Sequence, residues 1–340
     1  MIDAVATNGY KTAAEHRISE LPILVILPHN RCNCRCMMCD IWRIRQAREI
    51  TDRDLAPHLS SLRNLKVKWV VFSGGEPLMH SDLPSLTRLC RLAGVRITLL
   101  TAGLTLEAEA EMVSASTDDV IVSLDGSADI HDSIRCVPGA YRRLHAGIEA
   151  LRHRRPDIPI HGRCTIQKKN CYDLRNTVRA AHELGLNSLS FLAVDTSSAA
   201  FNHPDGWTQA RQSAVAPDEN DVEGLKAEIE ALISEFSDDI ASGFIVEKAD
   251  KLRRIGYYFR SRLGQLQSAS PRCNAPWVSA VIESDGSVRP CFFQPVIGNI
   301  HQRSLAEIVN GDEAVDFRRR LDIPNDPICR ACVCSLFFEK

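Results

Sequence analysis

The apolar run Ile23-Leu24-Val25-Ile26-Leu27, followed shortly by Cys32-Asn33-Cys34-Arg35-Cys36-Met37-Met38-Cys39, decides how the chain is read. The first run has the length and composition of a strand. The second places Cys32, Cys36 and Cys39 at CxxxCxxC spacing in the loop that leaves it. Three thiolates in one tight loop suit three irons of a 4Fe-4S cube and leave the fourth iron open to a ligand that is not protein. A CxxC pair also suits structural zinc, and Cys36 and Cys39 with Cys329 and Cys332 would make a four-cysteine site. The additional Cys32 weighs toward the cube.

Five more apolar runs follow: Trp69 to Ser73, Ile97 to Thr101, Val120 to Asp125, Ile160 to Ile166 and Ser188 to Val194. Helical stripes lie between them, such as Leu55, Leu59, Leu62, then Leu83, Leu86, Leu89, Ala93, and later Tyr141, Leu144, Ile148, Leu151. Strand and helix in alternation imply parallel strands with right-handed crossovers. The predicted fold is therefore α/β, a partial (β/α)6 TIM-like barrel over residues 21–200, with chemistry on the loops at the strand C-terminal ends. Residues 1–20 read as an N-terminal tail and 201–269 as a largely helical connecting segment covering the barrel side or rim. Residues 270–340 read as a small C-terminal domain in which cysteines return, with a hairpin turning at Ser284-Asp285-Gly286.

With 44% hydrophobic residues the chain can bury a sizeable core, and a net charge of -2 gives no reason to expect nucleic acid or an anionic membrane as partner. No apolar stretch approaches the ~18 residues that span a bilayer, and Met1 to Glu20 has no signal-peptide core. Thirteen cysteines without an export signal favour thiolate ligands in a reducing, cytoplasmic setting over disulfides.

At the end of the second strand stands Ser73-Gly74-Gly75-Glu76-Pro77, and at the end of the fourth Ser123-Leu124-Asp125-Gly126, followed by His131-Asp132-Ser133-Ile134-Arg135. Singly, these read as strand-to-helix turns with solvated polar residues. With CxxxCxxC they resemble the radical S-adenosylmethionine (SAM) superfamily, and the SLDG…HD..R pattern resembles its SPASM and Twitch branch. The resemblance implies that Cys32, Cys36 and Cys39 hold a catalytic 4Fe-4S cluster whose open iron takes SAM. It further implies that Gly74, Gly75 and Glu76 hold the SAM amino group and that Ser123 and Arg135 hold its carboxylate, a guanidinium suiting a carboxylate through two parallel hydrogen bonds. Met38 stands where an aromatic residue commonly lies by the adenine. Thr101-Ala102-Gly103 resembles the family's TNG, with Ala102 replacing Asn. Cys273, Gly286, Cys291, Cys329 and Cys332 match the CX9-15GX4C and CX2C pattern of SPASM and Twitch domains, implying one auxiliary 4Fe-4S cluster, with Cys334 as a further possible ligand.

By this resemblance the protein is an oxidoreductase. It reductively cleaves SAM to a 5′-deoxyadenosyl radical, takes electrons from a flavodoxin- or ferredoxin-type donor, and removes hydrogen from an organic substrate. Candidate catalytic residues are Asp125, Cys164 and Cys171. His161, Arg163, Gln167, Phe191 and Asp195 are further residues within reach of substrate, whereas His203 reads as solvated. With 31 residues ahead of Cys32 there is no room for a leader-peptide recognition domain, which favours a small metabolite or natural-product intermediate such as a sugar or nucleoside. A peptide-modifying maturase, cross-linking or epimerising, is the alternative, and a zinc-stabilised binding module is the reading from another class.

Overall fold

The computed structural model describes residues 16–203, 206–334 and 336–339; most of the predicted N-terminal tail lies outside the described residues. The six predicted strands form: β1 (Ile23–Ile26), β2 (Trp69–Phe72), β3 (Arg96–Thr101), β4 (Asp119–Ser123), β5 (Ile160–Ile166) and β6 (Ser188–Ala193). All neighbours among them are parallel. Helices such as Leu83–Leu92, Leu106–Ser116, Ala140–Arg154 and Leu174–Glu183 form the crossovers.

Alternation along the strands gives the sheet two faces. Ile97, Leu99, Val120, Val122, Ile160, Cys164, Ile166, Leu189 and Phe191 lie on one face and join helix residues such as Val113, Leu144, Leu151 and Val178 in the core. The other face turns into the barrel and is more polar. There the Trp69 indole donates to Thr98 (2.7 Å), the Thr98 hydroxyl donates to Asp119 (2.6 Å), and Arg96 pairs with Asp119 (2.7 Å).

The C-terminal part is not a detached module. Its hairpin strands, β7 (Ser279–Ile282) and β8 (Ser287–Arg289), with the short β9 (Gly298–Asn299), extend the same sheet in the order β6-β5-β4-β3-β2-β1-β7-β8-β9. Strand β7 lies parallel to β1, Ile23 opposite Ser279 and Ile26 opposite Ile282, while β8 returns antiparallel. The hairpin turn holds Gly286 at φ +81°, where a Cβ would meet the His301 ring at 2.5 Å.

The buried Arg318 fastens this extension to the chain's beginning. Its Nε donates to the Pro276 carbonyl (2.7 Å), Nη1 to that of His16 (2.9 Å) and Nη2 to that of Val309 (2.8 Å). Burial draws its guanidinium down to about 10, with three carbonyl dipoles in place of a carboxylate. Replacing it with Met strands those carbonyls, and a buried hydrogen bond to a charged group contributes about 1.5–3 kcal/mol. Arg318→Met should therefore lower the unfolding free energy by about 3 kcal/mol or more in urea titration; a native midpoint would show the clamp to be dispensable.

Candidate functional site

The cysteine loop and the second-strand turn are pressed together. A Cβ on Gly75 would lie 1.9 Å from the Arg31 carbonyl oxygen, and one on Gly74, which sits at φ +112°, would lie 3.1 Å from the His29 carbonyl oxygen. The Glu76 N–H donates to the Arg31 carbonyl (2.8 Å), and His29 Nε2 hydrogen-bonds the Glu76 carbonyl (2.7 Å). The glycines thus let one loop backbone cross directly over the other.

Glu76 is buried and ties β2 to β3. Its Oε1 accepts from the Thr101 hydroxyl (2.7 Å) and from Leu78 N–H (3.2 Å), and its Oε2 accepts from Ala102 N–H (2.7 Å). Burial raises this carboxyl, and those donors pull it back toward the anion. The Thr101 hydroxyl is committed to Glu76 and also accepts from Gly103 N–H (2.9 Å).

Cys32, Cys36 and Cys39 gather in a small apolar pocket with Ala102, Leu104, Ala140, Val137 and Met38. Cys34, off the ligand spacing, is buried among them. The Cys36 thiol, hydrogen-bonded by Cys34 and facing Arg135, is brought down to about 7 despite burial, whereas burial pushes Cys39 up to about 12. Such buried thiols become thiolates when a cation is bound, which is what an iron cluster supplies.

Arg135 closes this pocket. Its Nη2 pairs with Asp125 (2.5 Å), and its Nη1 lies 3.6 Å from the Cys36 sulfur. Burial disfavours the guanidinium charge, but the Asp125 carboxylate holds it ionised. The Arg135 Nε is buried without a partner, as is Gln167 Oε1, whose amide donates toward the Met38 sulfur (3.5 Å). Unpaired polar atoms around the thiols suit a polar ligand there. Ser123 ends β4 on the inward face, opposite Arg163 of β5. The HD pair is structural: His131 Nδ1 accepts from Asp125 N–H (3.2 Å), and Asp132 accepts from Gly139 and Tyr141 N–H.

Several candidates lie elsewhere. Cys164 is fully buried on the helix-covered face, its sulfur accepting from the Asn170 amide (3.6 Å). Cys171 is buried in the core and directed at the Lys168 carbonyl. Phe191 shares the Cys164 face, whereas His161 and Arg163 face inward. His203 is buried, not solvated, with its ring 4.3 Å from that of Trp207. It belongs to a strap that sequence reasoning missed: Asp40, next to Cys39, pairs with Arg211 (2.6 Å) and accepts from the Trp207 indole (3.3 Å), while its N–H donates to the Phe201 carbonyl (3.0 Å). The acidic residue beside the last cysteine was the available signal.

The second cysteine group flanks the hairpin: Cys273 precedes β7, which runs parallel to β1, and Cys291 follows the antiparallel β8, so both stand toward the end of these strands opposite the one from which the Cys32 loop leaves. Cys273, Cys291, Cys332 and the exposed Cys334 lie within electrostatic reach of one another, and Cys329 neighbours Cys291. Burial pushes Cys291 to about 11 and Cys329 to about 12. The Gln294 amide donates to the Cys329 sulfur (3.4 Å) and Ala275 N–H to that of Cys273 (3.4 Å). A set of sulfur ligands with N–H donors around them fits an iron-sulfur cluster. Two cavities open near these groups. One, about 250 Å³, is lined by Gly74, Gly75, Phe201 and Phe292; the other, about 260 Å³, by Asp195, Arg262, Ile328 and Cys332. Among the described residues no helix is long and apolar enough to cross a membrane.

Residues 26–179 match the radical SAM superfamily, and residues 273–333 match SPASM, an iron-sulfur cluster-binding domain. The AdoMet-dependent heme synthase of Methanosarcina barkeri is 27% identical over 322 residues, covering 89% of this chain and 85% of that protein. The PqqA peptide cyclase of Ruegeria pomeroyi is 26% identical over 325 residues, covering 92% and 79%. Streptococcus suis SuiB bound to S-adenosylmethionine shares the fold, with a TM-score of 0.65 at 14% identity over 94% of this chain and 74% of that one. So does anSMEcpe with bound AdoMet, with a TM-score of 0.65 at 19% identity, covering 91% and 86%.

Two outcomes follow from this geometry. Gly75→Ala should force the Arg31 backbone to move at a cost of about 1–3 kcal/mol and loosen the cysteine loop, read as a lower melting temperature and lower iron retention; native values for both would contradict the close crossing. Burial lowers the His131 imidazole from 6.5 to about 4, so between those values the unfolded chain binds a proton that the folded chain does not. Stability should therefore fall as the pH drops from 7 toward 4, by about 2 kcal/mol at pH 5 from this group. Denaturant titrations at both pH values should show a shallower fall for His131→Gln.

Proposed function

Because the chain belongs to the radical SAM superfamily, in its SPASM branch, we propose that it is an oxidoreductase removing hydrogen from a small organic molecule bound between the barrel mouth and the auxiliary domain. The observation that carries this reading is the presence of two separate thiol groups on one sheet, one in the loop that leaves β1 and one around the hairpin paired with β1, with a cavity beside the second-strand turn and another bordered by Cys332. Together, a reduced 4Fe-4S cluster and SAM supply a 5′-deoxyadenosyl radical able to take hydrogen from an unactivated carbon.

Cys32, Cys36 and Cys39 would hold three irons in the apolar pocket, shielded from water by Leu104 and Val137. Ser123 and Arg135 would bind the SAM carboxylate, Asp125 keeping the guanidinium charged and the unpaired Nε being the donor left over for a ligand. Gly74, Gly75 and Glu76 would present the turn to the amino group. Thr101 acts by holding Glu76, and Met38, steadied by Gln167, would cover the adenine. Cys273, Cys291, Cys329 and Cys332 would hold one auxiliary cluster, with Cys334 beside them. A flavodoxin- or ferredoxin-type protein is the proposed electron donor. In domain terms, residues 21–200 would form the SAM-cleaving barrel and 270–340 the auxiliary part, joined by the helical segment 201–269.

The small-molecule reading is supported by the likeness to a heme synthase along most of both chains and by cavities of modest size. The likeness to a PqqA peptide cyclase supports a peptide substrate instead. After anaerobic reconstitution the protein should hold about eight irons and eight sulfides and, when reduced, convert SAM to 5′-deoxyadenosine. Deuterium from a labelled small molecule should enter that product. About four irons with full activity would remove the auxiliary cluster, bound zinc without SAM cleavage would overturn the enzyme reading, and label arriving only from peptides would favour the cyclase-like alternative.

A further inference from the structure

The helix Ala249–Arg262 places Arg254, Tyr258 and Arg262 at i, i+4 and i+8, on one face. That face looks at the auxiliary cysteines. Arg262 shares the cavity of about 260 Å³ with Cys332 and Ala331 of the cysteine loop and with Asp195 and Ser198 from the exit of β6. Tyr258 donates its hydroxyl to the Val194 carbonyl (3.3 Å) and so pins the helix to that exit. Arg254, half-buried two turns earlier, lies within electrostatic reach of Cys332 and Cys273.

Arg262 is exposed at the cavity, and the half-buried Arg254 differs from the other guanidiniums enclosed in the molecule. Arg135 has Asp125, Arg211 has Asp40, and Arg318 has three carbonyls. Among the described residues Arg254 has no carboxylate or hydrogen-bonding partner, and the only bond from Arg262 is a long one to the Gln212 amide oxygen (3.3 Å). The one acid in the cavity wall does not answer them. Asp195 Oδ1 accepts from the N–H of Ser197 (3.0 Å) and Ser198 (3.2 Å) and from the Ser197 hydroxyl (3.1 Å), and Oδ2 accepts from the Ser198 hydroxyl. Its lone pairs are directed into its own turn, and no ion pair joins it to Arg262.

We propose that this cavity binds a carboxylate group of the substrate, taken by the Arg262 guanidinium at the mouth and favoured by the charge of Arg254 behind it. The proposal rests on the function given above and narrows its substrate to an organic acid. A planar guanidinium with no carboxylate partner, whose one hydrogen bond is the long contact from Nη2 to Gln212, can turn its fork to a carboxylate. Asp195 in the same wall disfavours any anion, and a dianion such as phosphate more than a monocarboxylate, because the repulsion grows with the ligand's charge. Cys332 lines this cavity, so an acid held there would adjoin a cluster bound by that thiolate and would perturb its spectrum.

The test uses protein with both clusters reconstituted and reduced anaerobically, without SAM, titrated with glutarate, with glutaramide as its uncharged counterpart, and with inorganic phosphate. Glutarate should bind saturably by calorimetry and alter the auxiliary-cluster electron paramagnetic resonance signal; glutaramide and phosphate should do neither. At equal iron content, Arg262→Gln should weaken glutarate at least about tenfold, since a charge-assisted hydrogen bond is lost, and Arg262→Lys should fall between the two. Native glutarate affinity in Arg262→Gln would overturn the proposal, as would equal binding of glutaramide or tighter binding of phosphate. Failure of the native protein to cleave SAM would instead overturn the enzyme reading, and the glutarate titration, which contains no SAM, keeps the two results apart.

Discussion

Strand β1 is the constraint on which the other parts depend. Its four residues pair on one side with Trp69–Phe72 of β2 and on the other with Ser279–Ile282 of β7, both parallel. The cysteine loop leaves its end. Any shift of register would turn Leu24 and Ile26 from the core to the opposite face and carry the loop with them, because side chains alternate with period two. One short strand therefore sets where the thiols lie relative to the second-strand turn and to the auxiliary hairpin.

Above that strand the site is held by buried polar contacts with specific partners. Gly75 admits the Arg31 backbone, Glu76 draws Thr101 and Ala102 to it, Asp125 keeps Arg135 charged, and Asp40 fastens the strap of Phe201, Trp207 and Arg211. Each contact joins two strand ends or two loops. The same residues that resemble a ligand-binding motif thus also maintain the shape that would receive the ligand, and a substitution at any of them alters both.

Local pattern made much of this legible. The six strands showed as apolar runs, the thiol groups as spacings, and the hairpin as Asp285-Gly286 between two strand-like runs. What local pattern does not carry is the identity of distant partners. Nothing in Ser279–Ile282 says that it pairs with β1, and Arg318 in a charged helix looks like a solvated residue until its three carbonyls are seen. Cys164 illustrates the other difficulty: alternation shows that half of β5 faces inward but not which half, and only the packing of the helices decides. His203 in a polar loop reads as exposed because its cover, Trp207 and Asp40, comes from two places in the chain.

The insertion of β7 beside β1 also bears on how the protein is made. As the chain leaves the ribosome, strands β1 to β6 can assemble in order, yet one edge of β1 lacks its neighbour until residues 279–282 have been synthesised. An apolar edge left open in this way is a template for pairing with other chains. The nascent barrel thus passes through a long interval in which its most exposed edge adjoins the loop that must acquire iron, and cluster insertion, edge protection and chain completion become competing events in time.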